Sequence, residues 1–144
     1  MIIIMADSSS TINVKDYKDK SLLIVDDDNP FRERLSRAME KKGFVVTQAE
    51  SVKKGIDSLK ITKPAFAVID LRLNDGNGLE VVKEIQSSNN NSRIIMLTGY
   101  GNISTAVAAV KHGAIDYLAK PADADDVEKA LLADPKSKAQ PPEN

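Results

Sequence analysis

The sequence contains no cysteine and a single histidine, His112. The first absence excludes disulfides, thiolate metal sites and cysteine nucleophiles. The second excludes a multi-histidine metal centre within one chain. A surplus of charge is also missing: 20 Lys and Arg against 21 Asp and Glu leave a formal net charge of −1. That balance gives no electrostatic reason for this stretch of chain to bind nucleic acid or a membrane surface. No apolar run approaches the ~20 residues that span a bilayer. The apolar opening from Met1 to Met5 has neither a basic flank nor a cleavage site, so it does not read as a signal peptide. The expectation is a cytoplasmic protein with no membrane attachment.

What is present is enough for one domain: 144 residues, 42% of them hydrophobic. Residues 1–19 read as a flexible N-terminal extension, polar at Ser8-Ser9-Ser10-Thr11 and charged without period further on. Residues 20–133 read as the domain. Residues 134–144 are rich in Lys, Gln and Pro and end Pro141-Pro142-Glu143-Asn144. That composition is a linker, and it is expected to lead toward a further domain.

Between these ends strand and helix signals alternate. Leu22-Leu23-Ile24-Val25 is a short continuous apolar run, the pattern of a strand buried on both faces. Asn29-Pro30 supplies a helix cap and a first-turn proline, Phe31, Leu35, Ala38 and Met39 follow at helical spacing, and Gly43 closes the helix. Phe44-Val45-Val46-Thr47 reads as a second strand, and Ser51 caps a helix carrying Val52, Ile56 and Leu59. A third strand runs from Ala65 to Ile69 and ends at Asp70. The glycine-rich loop Asn74-Asp75-Gly76-Asn77-Gly78 leads into a helix with Leu79, Val82 and Ile85. Ile94-Ile95-Met96-Leu97 is a fourth strand, ending at Thr98. Asn102 opens a helix that Gly113 ends, and Ile115 to Ala119 is a fifth strand, ending at Lys120-Pro121. Asp123 caps a last helix with Val127, Leu131 and Leu132. Five βα repeats predict an α/β fold with a parallel, doubly wound sheet and helices on both faces.

The polar residues fall at the strand ends. Strand one ends in Asp26-Asp27-Asp28, strand three in Asp70, strand four in Thr98 and strand five in Lys120. Parallel strands bring all these ends to one edge, where ligands of such sheets bind. Singly each has an ordinary explanation: a solvated acidic loop, a helix cap, a strand-end threonine, a surface lysine. Together they are chemically complementary. Clustered carboxylates poorly neutralised by one lysine favour a hard divalent cation such as Mg²⁺. A cation held by Asp27 and Asp70 can grip a phosphoryl oxygen, and Asp70 can then attack phosphorus to form an aspartyl-phosphate. Lys120 and the Thr98 hydroxyl are suited to the other phosphoryl oxygens.

At this point the chain resembles the receiver domain of two-component response regulators from about Lys20 to Leu132. The matching segments are Leu23-Ile24-Val25-Asp26-Asp27, Val68-Ile69-Asp70, Asp75-Gly76-Asn77-Gly78, Met96-Leu97-Thr98-Gly99 and Asp116-Tyr117-Leu118-Ala119-Lys120-Pro121. The resemblance implies a flavodoxin-like sheet of order 2-1-3-4-5. It implies Asp70 as phosphoacceptor, Lys120 and Thr98 as phosphoryl contacts, and Thr98 with Tyr117 as the switch pair. It implies Mg²⁺ held by Asp26, Asp27, Asp70 and the backbone carbonyl of Arg72, with Asp26 acting largely through water. It also implies a cis Lys120–Pro121 bond. Asp28 lies outside the family motif and reads as charge at the start of the helix. Arg72 and Tyr100, each two residues beyond a site residue, are expected to slow loss of the phosphoryl group. His112 is read as a cation at a helix end.

Leu97-Thr98-Gly99-Tyr100-Gly101-Asn102 and the segment from Asp116 to Val127 are most similar to regulators of the RegA/PrrA/ActR type, which carry a proline-rich linker and a helix-turn-helix domain after the receiver. The implied function is a phosphorylation-dependent switch driven by a sensor histidine kinase and acting on transcription. DNA binding would belong to the full-length protein and not to these residues. A homodimer through helix four, strand five and helix five is expected on phosphorylation, with Ala106, Val107 and Ala109 on the face. The alternative is a stand-alone receiver acting by phosphotransfer or protein binding. A Mg²⁺-dependent phosphohydrolase is disfavoured, because Arg72 stands where those enzymes carry a second aspartate. The protein is therefore expected not to be an enzyme beyond its own phosphorylation and dephosphorylation.

Overall fold

A computed structural model describes residues 13–88, 91–99, 103–114 and 116–133. Five strands form one parallel sheet: β1 (Ser21–Val25), β2 (Val45–Ala49), β3 (Phe66–Asp70), β4 (Arg93–Thr98) and β5 (Asp116–Ala119). Five helices alternate with them: α1 (Asn29–Lys41), α2 (Val52–Ser58), α3 (Leu79–Ser88), α4 (Ile103–Lys111) and α5 (Ala124–Leu132). The strand order is β2-β1-β3-β4-β5, and every neighbouring pair is parallel. This is the doubly wound, flavodoxin-like order that the resemblance implies. A separate two-residue hairpin pairs Arg72 with Asn77 and Leu73 with Gly76.

The three central strands are apolar except at their ends because both of their faces are covered. Side chains alternate between two core layers. Leu23, Val25, Ala67, Ile69, Ile94 and Met96 meet Val52 of α2 and Val81, Val82 and Ile85 of α3. Leu22, Ile24, Phe66, Val68, Ile95 and Leu97 meet Leu35 and Met39 of α1 and Val127 and Leu131 of α5. Helix α4 packs beside β4 and β5. Arg93, at the start of β4, donates from Nε to the Leu131 carbonyl at 2.6 Å and also bonds the Ala133 carbonyl. The cation thus closes the C-terminal end of α5, where the helix dipole favours it.

The structure corrects the sequence reading at several places. Part of the stretch read as an N-terminal extension packs onto the domain. Val14 is fully buried within the α1/α5 layer, and Tyr17 meets the Phe66 ring edge-on at 5.1 Å. One apolar and one aromatic residue in a charged stretch carry no period, so this packing left no pattern to read. Helix α1 is capped by Asp28 and not by Asn29: the Asp28 carboxylate accepts from the Phe31 N–H at 3.1 Å. β2 starts one residue late and runs on to Ala49, because Phe44 turns into the core against Phe66 at 5.3 Å. Residues 1–12 and 134–144, with Tyr100, Asn102 and Ile115, lie outside the described residues, as do the side chains of Ala106 and Ala109.

Candidate metal and phosphoryl site

Strand ends at one edge of the sheet build the site. Asp26 follows β1 directly, Asp70 and Thr98 are the last residues of β3 and β4, and Lys120 follows β5. The Lys120 N–H donates to the Thr98 carbonyl at 2.8 Å, so the β4–β5 ladder carries the lysine into the crevice. Its Nζ lies 3.0 Å from Asp26 Oδ2 and 3.5 Å from Asp70 Oδ2. Asp26, Asp27 and Asp70 each place a carboxylate oxygen within 4.8 Å of the others. Asp26 and Asp70 are buried and Asp27 is half-buried, so the cluster opens to solvent on one side. Three carboxylates against one ammonium leave an excess of negative charge. An all-oxygen donor set of this charge could hold a hard metal cation.

The electrostatics reflect that excess. Burial, then the charge of Asp26, pushes the Asp70 pKa up from 3.8 to about 6, against the opposing pull of Lys120 and a hydrogen bond from the Arg72 backbone N–H. Burial alone would lower the Lys120 pKa. The hydrogen bond to Asp26 and the charges of Asp70 and Asp26 outweigh it and hold the ammonium above its ordinary 10.5. Asp26 Oδ1 accepts from the Asp28 N–H at 2.9 Å.

Several neighbours to which the sequence reading gave no role in the site fix these groups. Phe31, in the first turn of α1, lies under the Lys120 ammonium at 4.8 Å from the ring centre, a cation–π contact. Arg32 is buried and spans three acceptors: the Asp26 carbonyl at 2.8 Å, Asn29 Oδ1 at 2.6 Å and Gln48 Oε1 at 2.8 Å. Its position, three after Asn29 and before Leu35 on the inward face of α1, is the signal that could have found it. Gly78 backs the acceptor: a Cβ there would stand 2.1 Å from the Asp70 carbonyl oxygen. No other residue permits that approach of two backbones.

The remaining expected residues fall out as follows. Thr98 is fully buried at the same edge, with its hydroxyl donating to the Gly99 carbonyl at 3.2 Å. Tyr117 is half-buried and packed against the α2/α3 core layer. Arg72 is exposed, on the two-residue hairpin. The Lys120–Pro121 bond is cis. Val107 and Val110 of α4 are exposed, and His112 is exposed just after the helix. No described helix is long and apolar enough to cross a membrane.

Comparison with known proteins agrees with this geometry. The profile of the response regulator receiver domain matches residues 22–132. The acid tolerance regulatory protein ActR of Rhizobium meliloti (strain 1021) is 60% identical over 126 residues, 88% of this chain and 65% of that protein. The photosynthetic apparatus regulatory protein RegA of Cereibacter sphaeroides is 58% identical over 126 residues, 88% of this chain and 68% of that protein. The chain thus spans 65% of the length of ActR. Among solved structures, a response regulator from Burkholderia pseudomallei with a phosphorylated aspartic acid, calcium ion and citrate superposes with a TM-score of 0.77 at 36% identity, covering 83% of this chain and 71% of that one. A receiver domain protein from Methanospirillum hungatei JF-1, described as CheY-like, gives 0.74 at 26% identity over 84% of this chain and 94% of that one. With five parallel strands in receiver order and a carboxylate cluster at their ends, this chain belongs to the response-regulator receiver-domain family of two-component systems.

Proposed function

We propose that Asp70 accepts a phosphoryl group from a sensor histidine kinase, with Mg²⁺ held by Asp26, Asp27, Asp70 and the Arg72 carbonyl. The observation that carries this reading is the Lys120 ammonium set between Asp26 and Asp70 beside three clustered carboxylates. The cation supplies charge neutralisation at the phosphoryl oxygens when bound. An Asp70 oxygen attacks phosphorus, the bond from phosphorus to the donor nitrogen breaks, and the proton needed by the departing imidazole comes from solvent. Lys120 transfers its contact from Asp70 to a phosphoryl oxygen, so the new charge is met by a group already in place. The Thr98 hydroxyl leaves the Gly99 carbonyl for another phosphoryl oxygen, and Tyr117 moves inward behind it. The Burkholderia relative, described with a phosphorylated aspartic acid and a calcium ion, supports the modification and the binding of a divalent cation.

The similarity to ActR and RegA supports a cytoplasmic transcriptional switch whose DNA-binding output lies outside these residues. The domain is then a switch and not an enzyme with turnover. Arg72 and Tyr100 slow hydrolysis of the acyl phosphate. The test is transfer from labelled sensor kinases, or from a small phosphoryl donor with Mg²⁺, to wild type and Asp70→Asn. Label is expected on wild type alone and should not form when EDTA is present from the start. Label that survives the substitution overturns the assignment.

Phosphorylation is further proposed to favour a dimer through α4, β5 and α5, with Val107 at the surface of α4. A stable phosphoryl mimic is expected to raise the sedimentation coefficient at high protein concentration, and Val107→Glu to prevent the rise. An unchanged coefficient in wild type would dismiss the dimer for this domain.

A further inference from the structure

We infer that Asp75 is a positioning residue for the metal and phosphoryl site, although it lies outside the cluster itself. The inference rests on the phosphoacceptor reading above. Asn74 and Asp75 form the turn of the short hairpin in which Arg72 pairs with Asn77 and Leu73 with Gly76. Arg72 is the residue whose N–H bonds the Asp70 carboxylate and whose carbonyl is the proposed fourth ligand. The base of the hairpin is fixed by the sheet: the Leu71 N–H donates to the Leu97 carbonyl at 2.8 Å, and the Gly78 N–H to the Leu71 carbonyl at 2.8 Å. Its tip is fixed by Asp75. One Asp75 oxygen accepts from the Val52 N–H at 2.8 Å, and the other from the Lys53 N–H at 3.0 Å.

These are contacts across more than twenty residues of sequence, from one loop to the start of another helix. They are not needed to start α2, because Ser51 already caps it by accepting from the Lys54 N–H at 3.0 Å. The two bonds instead spend otherwise unpaired helix amides on tethering the hairpin. Both carboxylate oxygens are used, and they hold the Asp75 pKa below its ordinary value. Gly76 follows with a φ of +155°, so the chain can turn back from the tether. The Asn77 side chain then caps α3 through the Leu79 N–H at 2.8 Å. The hairpin that carries Arg72 is thereby held at its base and at its tip, and loss of Asp75 releases the tip. The inferred role is to keep the Arg72 backbone aimed at the cation and at Asp70.

The test compares Mn²⁺ affinity, read by electron paramagnetic resonance of the free ion, with thermal stability for the full chain. Asp75→Ala is expected to weaken Mn²⁺ binding about tenfold. Asp75→Asn retains one acceptor oxygen and should fall between Ala and wild type. Ile56→Ala is the control, because it loosens the same α2 from the core at a partly buried side chain one turn further along, without touching either tethering hydrogen bond. It should lower the Tm at least as much as Asp75→Ala yet leave Mn²⁺ affinity within twofold of wild type. Amide exchange at Val52 and Lys53 should quicken in Asp75→Ala. Equal loss of affinity in Ile56→Ala, or unchanged affinity in Asp75→Ala, overturns the inference. Absence of saturable Mn²⁺ binding by wild type overturns instead the metal reading on which it rests.

Discussion

Asp70→Asn is expected to make the metal-free domain more stable at neutral pH, even as it abolishes phosphoryl acceptance. The Asp70 pKa is raised from 3.8 to about 6, first by burial and then by the charge of Asp26. A raised native pKa means that the ionised carboxylate is disfavoured by folding. The penalty is complete above about pH 6, shrinks between 6 and 4, and is absent below the unfolded value. The full shift corresponds to roughly 3 kcal/mol. Solvent reaching the open side of the cluster reduces the expected gain to about 1–2 kcal/mol. Urea denaturation with EDTA at pH 7.5 should show this gain, and the same experiment at pH 4 should not. Saturating Mg²⁺ should narrow the difference, because a bound cation removes in the wild type the repulsion that asparagine removes in the variant. A variant less stable than wild type at pH 7.5 without metal would refute this account of the site.

The parts of this site that sequence reveals are those set by alternation along the chain. Buried runs such as Leu22 to Val25 locate the strands, and parallel connection then forces Asp26, Asp70, Thr98 and Lys120 to one edge. The identity of Asp70 alone carries little; its meaning comes from the groups that topology brings beside it. The supporting shell is less legible because it depends on contacts with no period. Arg32 binds Gln48 across sixteen residues, and Asp75 binds Val52 across twenty-three. Val14 is buried by packing against an aromatic cluster, and nothing in its own neighbourhood announces it. The Asp28 cap was hidden by a rival: Asn29 directly before Pro30 is an equally good cap by residue type, and only the carboxylate geometry decides between them. The edge strand β2 misled for a related reason. Phe44 is apolar because it enters the core below the sheet, while Val45 of the strand proper is exposed.

The opposite change at the other end of the same ion pair gives the second large effect. Lys120→Met is expected to destabilise the metal-free domain by about 2–4 kcal/mol at pH 7.5. Asp26 is fully buried, and the ammonium 3.0 Å from its Oδ2 is its cationic partner among the described ion pairs. Methionine keeps an unbranched stem over the Phe31 ring and removes only the charge and its donors. Asp26 then retains the Asp28 N–H on Oδ1, a hydrogen bond without a countercharge. The Lys120 pKa lies above 10.5, so the contribution of the ammonium is whole throughout the neutral range and fades only at pH above that value. Any pH dependence of the loss near neutrality therefore belongs to the acidic cluster: the variant should recover stability on acidification as Asp70 takes up its proton. A double-mutant cycle isolates the pair. Combining Lys120→Met with Asp26→Asn should cost less than the sum of the single changes, because asparagine leaves no buried charge unpaired. Strict additivity in chemical denaturation would mean that Lys120 stabilises the domain through its stem alone. Since Asp70→Asn relieves the cluster and Lys120→Met aggravates it, opposite signs for the two variants in the same buffer identify excess negative charge as the dominant electrostatic property of the site.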